Sequence, residues 1–241
     1  MLSKNQHKLI TSLQQKKYRN KHQLFVVEGV KVVNEFLKSK FQLEKIFCTE
    51  DYKSSIEEYE PQLISENELS KISNLATPNK VLGLFKIPKP VDIVDKGLIL
   101  ALDTVNDPGN LGTIIRLCDW FGVSQLVCSK TTVDCYNTKV VQATMGSLAR
   151  LPIIYTDLQT YLLHTKLPIY GATMHGEKTK DVSIKEDAVL VMGNESNGIS
   201  KEIEKVLTYQ ITIPRYHKKS CVESLNVATA TAILLNDFRS S

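Results

Sequence analysis

From residue 98 onward the chain repeats one pattern, a short unbroken apolar run followed by a stretch with helical spacing. Strands are expected at 98–102, 125–128, 152–155, 168–173, 188–192 and 210–213, with Val, Ile and Leu dominating the clearest of them, 98–102 and 188–192. A strand that buries one face alternates apolar with polar residues, whereas a continuous apolar run is covered on both faces. The segments between them, at 110–121, 138–147, 157–163 and 200–206, and a last one at 224–238, read as helices. This pattern predicts an α/β fold in which a parallel sheet is flanked by helices. Ligands of such sheets collect beyond the carboxyl ends of the strands, which directs attention to loops 103–110, 193–199 and 214–223.

The first part of the chain alternates less regularly. Leu9, Ile10 and Leu13 in a basic background predict a short amphipathic helix, and 24–27 reads as a strand. Val30, Val33, Phe36 and Leu37 recur at helical spacing over 30–38. Strands at 43–48, 62–65 and 81–85 and helices near 54–59 and 67–73 complete a small α/β unit. Pro88 and Pro90 block a helix and favour an extended connection, so the expected domains are 1–90 and 95–241.

Composition removes several classes. The longest apolar runs, such as 98–102 and 188–192, are too short to cross a bilayer, so no membrane partner is expected. The amino-terminal MLSKNQHK has no apolar core behind its charges, which argues against a secretory signal. Five cysteines without a CxxC pair argue against a zinc site or a disulfide framework and point to the cytoplasm; no metal site is expected. The net charge of +4 is unevenly placed: residues 1–27 hold Lys4, Lys8, Lys16, Lys17, Arg19 and Lys21 and no acid. A second basic cluster is Arg215-Tyr-His-Lys-Lys219. Such clusters neutralise phosphates, although a solvated basic helix has the same composition.

Each of the three loops carries candidate site residues. In the first, Asp107-Pro108-Gly109 makes a turn and Asn110 suits a helix N-cap. The helix that follows has Ile114, Ile115, Leu117, Cys118 and Phe121 on its apolar face and Arg116 off it. In the second, Gly193 and Gly198 have the spacing of a phosphate loop. Ile199-Ser200 stands in place of the required Lys-Ser/Thr, which argues against a nucleoside triphosphatase. No GxGxxG follows an expected strand, which argues against a dinucleotide-dependent enzyme. In the third, Ile211-Thr-Ile-Pro214 leads through basic residues to Glu223-Ser-Leu-Asn-Val227, with Ser224 as the expected cap of a helix rich in small residues. Taken singly, capping, solvated charge and close packing explain each loop as well as chemistry does.

Together, in this order and spacing, they resemble the signature motifs of the SpoU (TrmH-type) RNA ribose methyltransferases of the SPOUT superfamily. The resemblance rests on Asn110-x-Gly112-x-x-x-Arg116 ahead of Phe121-Gly122, on Leu190-Val-Met-Gly-Asn-Glu195-x-x-Gly198, and on Ile213-Pro214 with Glu223-Ser-Leu-Asn-Val227. Phe25-Val-Val-Glu-Gly29, with Lys31 and Val33, is similar to the start of the family's L30e-like substrate-binding domain. The resemblance implies a carboxyl-terminal trefoil knot, a homodimer, and methyl transfer from S-adenosyl-L-methionine to a ribose 2′-hydroxyl of RNA. Large-subunit rRNA is the implied substrate; tRNA, or RNA binding without catalysis, are the alternatives. It implies catalytic roles for Asn110, Arg116, Glu195, Ser224 and Asn226, and cofactor contacts from Thr173, Gly193, Ile213 and Leu225. The chain departs from the family in the eight residues between Pro214 and Glu223, more than the family's usual number and without a glycine. The extra basic residues, Lys218 and Lys219 among them, are expected to grip RNA.

Overall fold

The computed structural model describes residues 1–217 and 224–240. The chain divides into two compact units: Met1–Lys89 with Asp134–Arg150, and Pro90–Val133 with Leu151–Ser241.

The first unit opens with two short helices, α1 (Lys4–Ser12) and α2 (Lys16–His22), where the sequence suggests one. Ser3 caps α1 through a reciprocal bond pair with Gln6, and Gln23 ends α2 in the left-handed region. Then come β1 (Leu24–Glu28), α3 (Val30–Leu37), β2 (Leu43–Cys48), β3 (Gln62–Leu63), α4 (Glu66–Ile72) and β4 (Val81–Lys86). The helix expected near 54–59 is two 3-10 turns, Glu50–Ser55 and Glu57–Tyr59. The sheet runs β1-β4-β2-β3, antiparallel except for the β2–β3 pair. The two faces of β1 explain its unbroken apolar run. Leu24 and Val26 pack with Ile10, Leu13, Leu69 and Ile72, while Phe25 enters an aromatic cluster with Phe36, Phe41, Phe85 and Tyr136.

The second unit begins with β5 (Leu98–Leu102), α5 (Pro108–Trp120) and β6 (Gln125–Ser129). Residues 134–150 then pack with the first unit, whereas the sequence reading puts them in the second. Two contacts account for the difference. The Tyr136 ring lies 4.7 Å from that of Phe25, and Asp134 accepts from Arg19 Nη2 and Nε at 2.6 and 3.0 Å. The helix expected over 138–147 is α6 (Thr138–Ala143); Met145 and Gly146 take positive φ (52° and 99°), and a 3-10 turn follows. The second unit resumes with β7 (Ile153–Thr156), α7 (Leu158–His164), β8 (Ile169–Lys178), β9 (Ala188–Met192), α8 (Lys201–Glu204), β10 (Tyr209–Thr212) and α9 (Val227–Ser240). Its six strands are all parallel in the order β10-β8-β9-β5-β6-β7, with helices α7 and α8 against Ile99, Val127, Val189 and Val191 on one face.

Arg19 corrects the picture of the amino-terminal basic cluster. It is only 2% exposed, and besides Asp134 it donates to the carbonyls of Leu13 and Gln14. The other five cations of that cluster, Lys4, Lys8, Lys16, Lys17 and Lys21, are exposed. Arg19 therefore ties α2 to the returning segment, and five cations remain for a polyanion. Removing one partner of a buried pair leaves the other charge without compensation. Asp134→Ala is expected to cost about 3–5 kcal/mol in a denaturant titration, whereas Lys17→Ala should stay within about 0.5 kcal/mol.

Candidate active site

Strands β5 and β9 run side by side, with Leu102 opposite Met192, so both chains emerge at one edge of the sheet. The first residues out are bound at once: Asp103 N donates to the Met192 carbonyl at 2.9 Å. The Asp103 carboxylate, 6% exposed, accepts from Ser200 N at 2.7 Å and from the Thr104 hydroxyl at 3.1 Å. Thr104 sits in the left-handed region (φ 61°), its N–H donating to Ser129 Oγ and its carbonyl accepting from Asn194 Nδ2 at 2.7 Å. Asn194 Oδ1 accepts from the N–H groups of Ser196 and Asn197, and the Asn194 backbone pairs in both directions with Gly198. A Cβ on Gly193 would stand 2.2 Å from the Gly198 carbonyl carbon, so only glycine closes this turn. The phosphate-loop spacing thus belongs to a turn satisfied by its own backbone.

Helix α5 starts two residues earlier than the sequence suggests. Asp107 is its cap, accepting from Asn110 N at 2.7 Å, and Pro108 occupies the first helical position. Asn110 is therefore not the cap, and its side chain is available elsewhere. Its Nδ2 donates to Glu195 Oε1 at 2.9 Å and its Oδ1 accepts from Asn226 Nδ2 at 2.8 Å. Asn226 in turn caps α9, its Oδ1 accepting from Ala228 N at 2.9 Å and Thr229 N at 3.2 Å. Asn226 rather than Ser224 holds that end, because only Asn226 immediately precedes the first helical residue. One polar chain, Glu195–Asn110–Asn226, so joins a residue from each of the three loops.

The remaining candidates are placed differently. Ser224 and Leu225 are exposed ahead of the cap. Arg116 is exposed on a stripe of α5 shared with Thr113 and Trp120, and makes no hydrogen bond or ion pair with another described residue. Lys218 and Lys219 lie outside the described residues. Gly193 and Ile213 directly follow β9 and β10, while Thr173 lies within β8, two residues past Gly171, the last β8 residue paired with β9; the three strands are neighbours in the sheet. Here β8 parts from β10: the pairing jumps from Gln210–Gly171 to Ile211–Glu177. Within that detour the Thr173 hydroxyl is buried and has no hydrogen-bond partner among the described residues.

Asp103, Thr104 and Asn194 brace the site, and the sequence reading passes over them as bracing groups. The available signals were a carboxylate directly after a buried strand and an Asn four residues before a glycine. Asn226 serves the helix through its oxygen and Asn110 through its nitrogen, and substitutions separate the two. Asn226→Ala is expected to lower stability by about 1 kcal/mol, while Asn226→Ser keeps a capping oxygen and should stay within about 0.5 kcal/mol. Chemical denaturation of both variants checks this.

The family described as SpoU rRNA Methylase matches residues 97–236, and the MRM3-like substrate binding domain matches residues 4–83. The chain belongs to the SpoU rRNA methylase family. It is 30% identical over 237 residues to the Bacillus subtilis 23S rRNA (guanosine(2553)-2′-O)-methyltransferase RlmP, covering 94% of this chain and 93% of that protein. A solved Porphyromonas gingivalis structure, assigned in its description to the TrmH family of RNA methyltransferases, is 37% identical with a TM-score of 0.91. The match covers 100% of this chain and 99% of that one. An AdoMet-bound rRNA methyltransferase from Sinorhizobium meliloti is 28% identical with a TM-score of 0.86, covering 100% and 97%.

Proposed function

We propose that this protein transfers a methyl group from S-adenosyl-L-methionine to a ribose 2′-hydroxyl of ribosomal RNA. The observation that carries the reading is the Glu195–Asn110–Asn226 chain, which gathers all three motif loops at the carboxyl edge of the sheet. Ribosomal rather than transfer RNA is favoured because the relatives from B. subtilis and S. meliloti match along nearly the whole chain and are both named rRNA methyltransferases. RNA also suits the charge. The first unit carries 17 Lys and Arg against 11 Asp and Glu, a net +6, while the second carries a net −2. A polyanion is drawn to the first unit.

The residues present fit the cofactor. A buried hydroxyl without a partner is costly, and Thr173 Oγ1 becomes satisfied once a polar ligand occupies the detour in β8. Gly193 and Ile213 would hold the ligand with backbone groups, and Leu225, 48% exposed, would cover it with an apolar side chain. Bound S-adenosyl-L-methionine supplies a methyl already activated by its sulfonium. The chain's own part is to orient a ribose and ease the loss of a poorly acidic proton. Asn110 and Glu195 hold one another in place, and Asn226 and Ser224 border the same edge, so these four orient the sugar. Arg116, whose guanidinium only donates hydrogen bonds, acts by stabilising negative charge on the 2′-oxygen.

A homodimer completes this reading. Trp120 is 83% exposed on α5, and Ile233 is 37% exposed on α9, which packs against α5. A second copy would cover both and would meet the stripe that carries Arg116. The trefoil knot belongs to the proposal as well. It is supported by α9 returning to the segment between β8 and β9, where the Thr179 hydroxyl donates to Asp237 at 2.5 Å. A cytoplasmic setting accords with ribosomal RNA as substrate and with Cys48, Cys118, Cys128 and Cys135 as buried thiols, Cys118 pushed well above its usual pKa by burial. No helix among the described residues is long and apolar enough to cross a membrane.

Arg116→Ala is expected to fold and to bind S-adenosyl-L-methionine in a calorimetric titration. Its turnover should fall by about a hundredfold or more. Parental turnover in that variant would remove Arg116 from the mechanism.

A further inference from the structure

A second concave site lies wholly within the first unit. The groove, of about 350 Å³, is bordered by β1, the turn after α4, and α6 with the turn that follows it. Its apolar wall is Val26, Leu75, Val141 and Ala143, and Met145 stands at its edge, 46% exposed. Three polar side chains also line it: Thr138, Lys139 and Gln142. None of the three has a hydrogen-bond or ion-pair partner among the described residues. The other two polar lining residues, Glu28 and Asn74, are held in place. Glu28, 6% exposed, accepts from Ser73 Oγ at 2.5 Å and from Asn74 N and Nδ2 at 3.0 and 2.9 Å. Asn74 is thereby held with its side-chain oxygen still available.

The turn that presents Met145 is held against its own preference. Met145 takes a φ of 52°, unusual for an unbranched side chain, and Gly146 follows at 99°. A Cβ on Gly146 would fall 2.8 Å from Glu35 Cβ, and Glu35 is ion-paired with Arg150 beyond the turn. Strained turns of this kind persist where the surroundings enforce them, and they gather at ligand sites.

We propose that this groove binds one unpaired nucleobase of the RNA substrate. The inference rests on the RNA-methyltransferase reading and adds a specific subsite to it. An RNA base offers a flat aromatic face and an edge of donors and acceptors. Apolar wall and thioether suit the face, since methionine sulfur packs favourably against aromatic rings. The Gln142 amide, the Thr138 hydroxyl and the Asn74 oxygen suit the edge, and the Lys139 ammonium suits a base carbonyl or the adjoining phosphate. The net +6 of this unit draws the strand toward it. The volume lies at the small end of ligand sites, enough for a base and too little for a folded element. Six of the ten lining residues come from 138–145, outside the 4–83 stretch that matches a substrate-binding domain, so that match alone does not contain the site.

The test compares a labelled single-stranded RNA hexamer with the same sequence as a full duplex, by fluorescence anisotropy at constant salt. The parental chain should prefer the single strand by about tenfold. Ala143→Phe, which fills the groove, and Gln142→Ala, which removes an edge contact, should each reduce that preference while leaving duplex affinity unchanged. Melting curves establish that each variant folds, and Gln142→Ala decides the matter if Ala143→Phe does not. A preference that survives in a folded variant, or one absent from the parental chain, overturns the proposal. S-adenosyl-L-methionine titration of the parental chain reads the underlying function separately: its failure there would reject the methyltransferase reading and leave the strand preference to stand on its own measurement.

Discussion

Burial of the parallel sheet on both faces governs the second unit. With β5, β6 and β9 carrying five buried residues each, no polar side chain can be placed along them without desolvation. Polar groups that must converge can do so only at the strand ends. There the chain meets a second requirement, that loop backbone withdrawn from water be bonded. Asp103, Thr104 and Asn194 meet it by bonding the loops to one another. The result is a frame stiff enough to hold Asn110 between Glu195 and Asn226. Rigid support from such neighbours is what keeps a reacting geometry within the narrow tolerance catalysis needs.

The first unit answers a different demand. It gathers the chain's excess positive charge on a small sheet and takes residues 134–150 into its core through Arg19 and Tyr136. Non-specific attraction to phosphates locates RNA without reading it, whereas contacts to exposed bases do the reading. On the proposed reading, the excess positive charge and the base-sized groove supply both within one unit, and the methyl-transfer chemistry belongs to the other.

Much of this was legible in the residues. The central strands β5 and β9 follow from unbroken apolar runs, since few other structures accommodate Leu98–Leu102 or Ala188–Met192, whereas the edge strand β10 buries only Ile211. The three loops could be singled out because a parallel sheet leaves no other place for a site. Helix ends are less legible: Asp107 and Asn110 are both good caps, and only the Pro108 position, already helical, decides for Asp107. Likewise Asn226 displaces Ser224 because α9 starts at Val227. What the sequence hid was long-range. Arg19 looked like its basic neighbours, and nothing local announces a partner 115 residues away at Asp134. The end of α6 at Ala143 precedes a turn in which Glu35 occupies the space a Cβ on Gly146 would need, a long-range constraint no periodicity records.

On the proposed function a sugar oxygen, not a base atom, receives the methyl group at the Asn110 cluster. The most direct measurement incubates the protein with methyl-tritiated S-adenosyl-L-methionine and unmodified large-subunit ribosomal RNA, then hydrolyses the RNA in alkali. A methylated 2′-oxygen cannot attack its neighbouring phosphate, so the label should emerge in an alkali-resistant dinucleotide. Label recovered in ordinary mononucleotides would mean transfer to a base and would contradict the account.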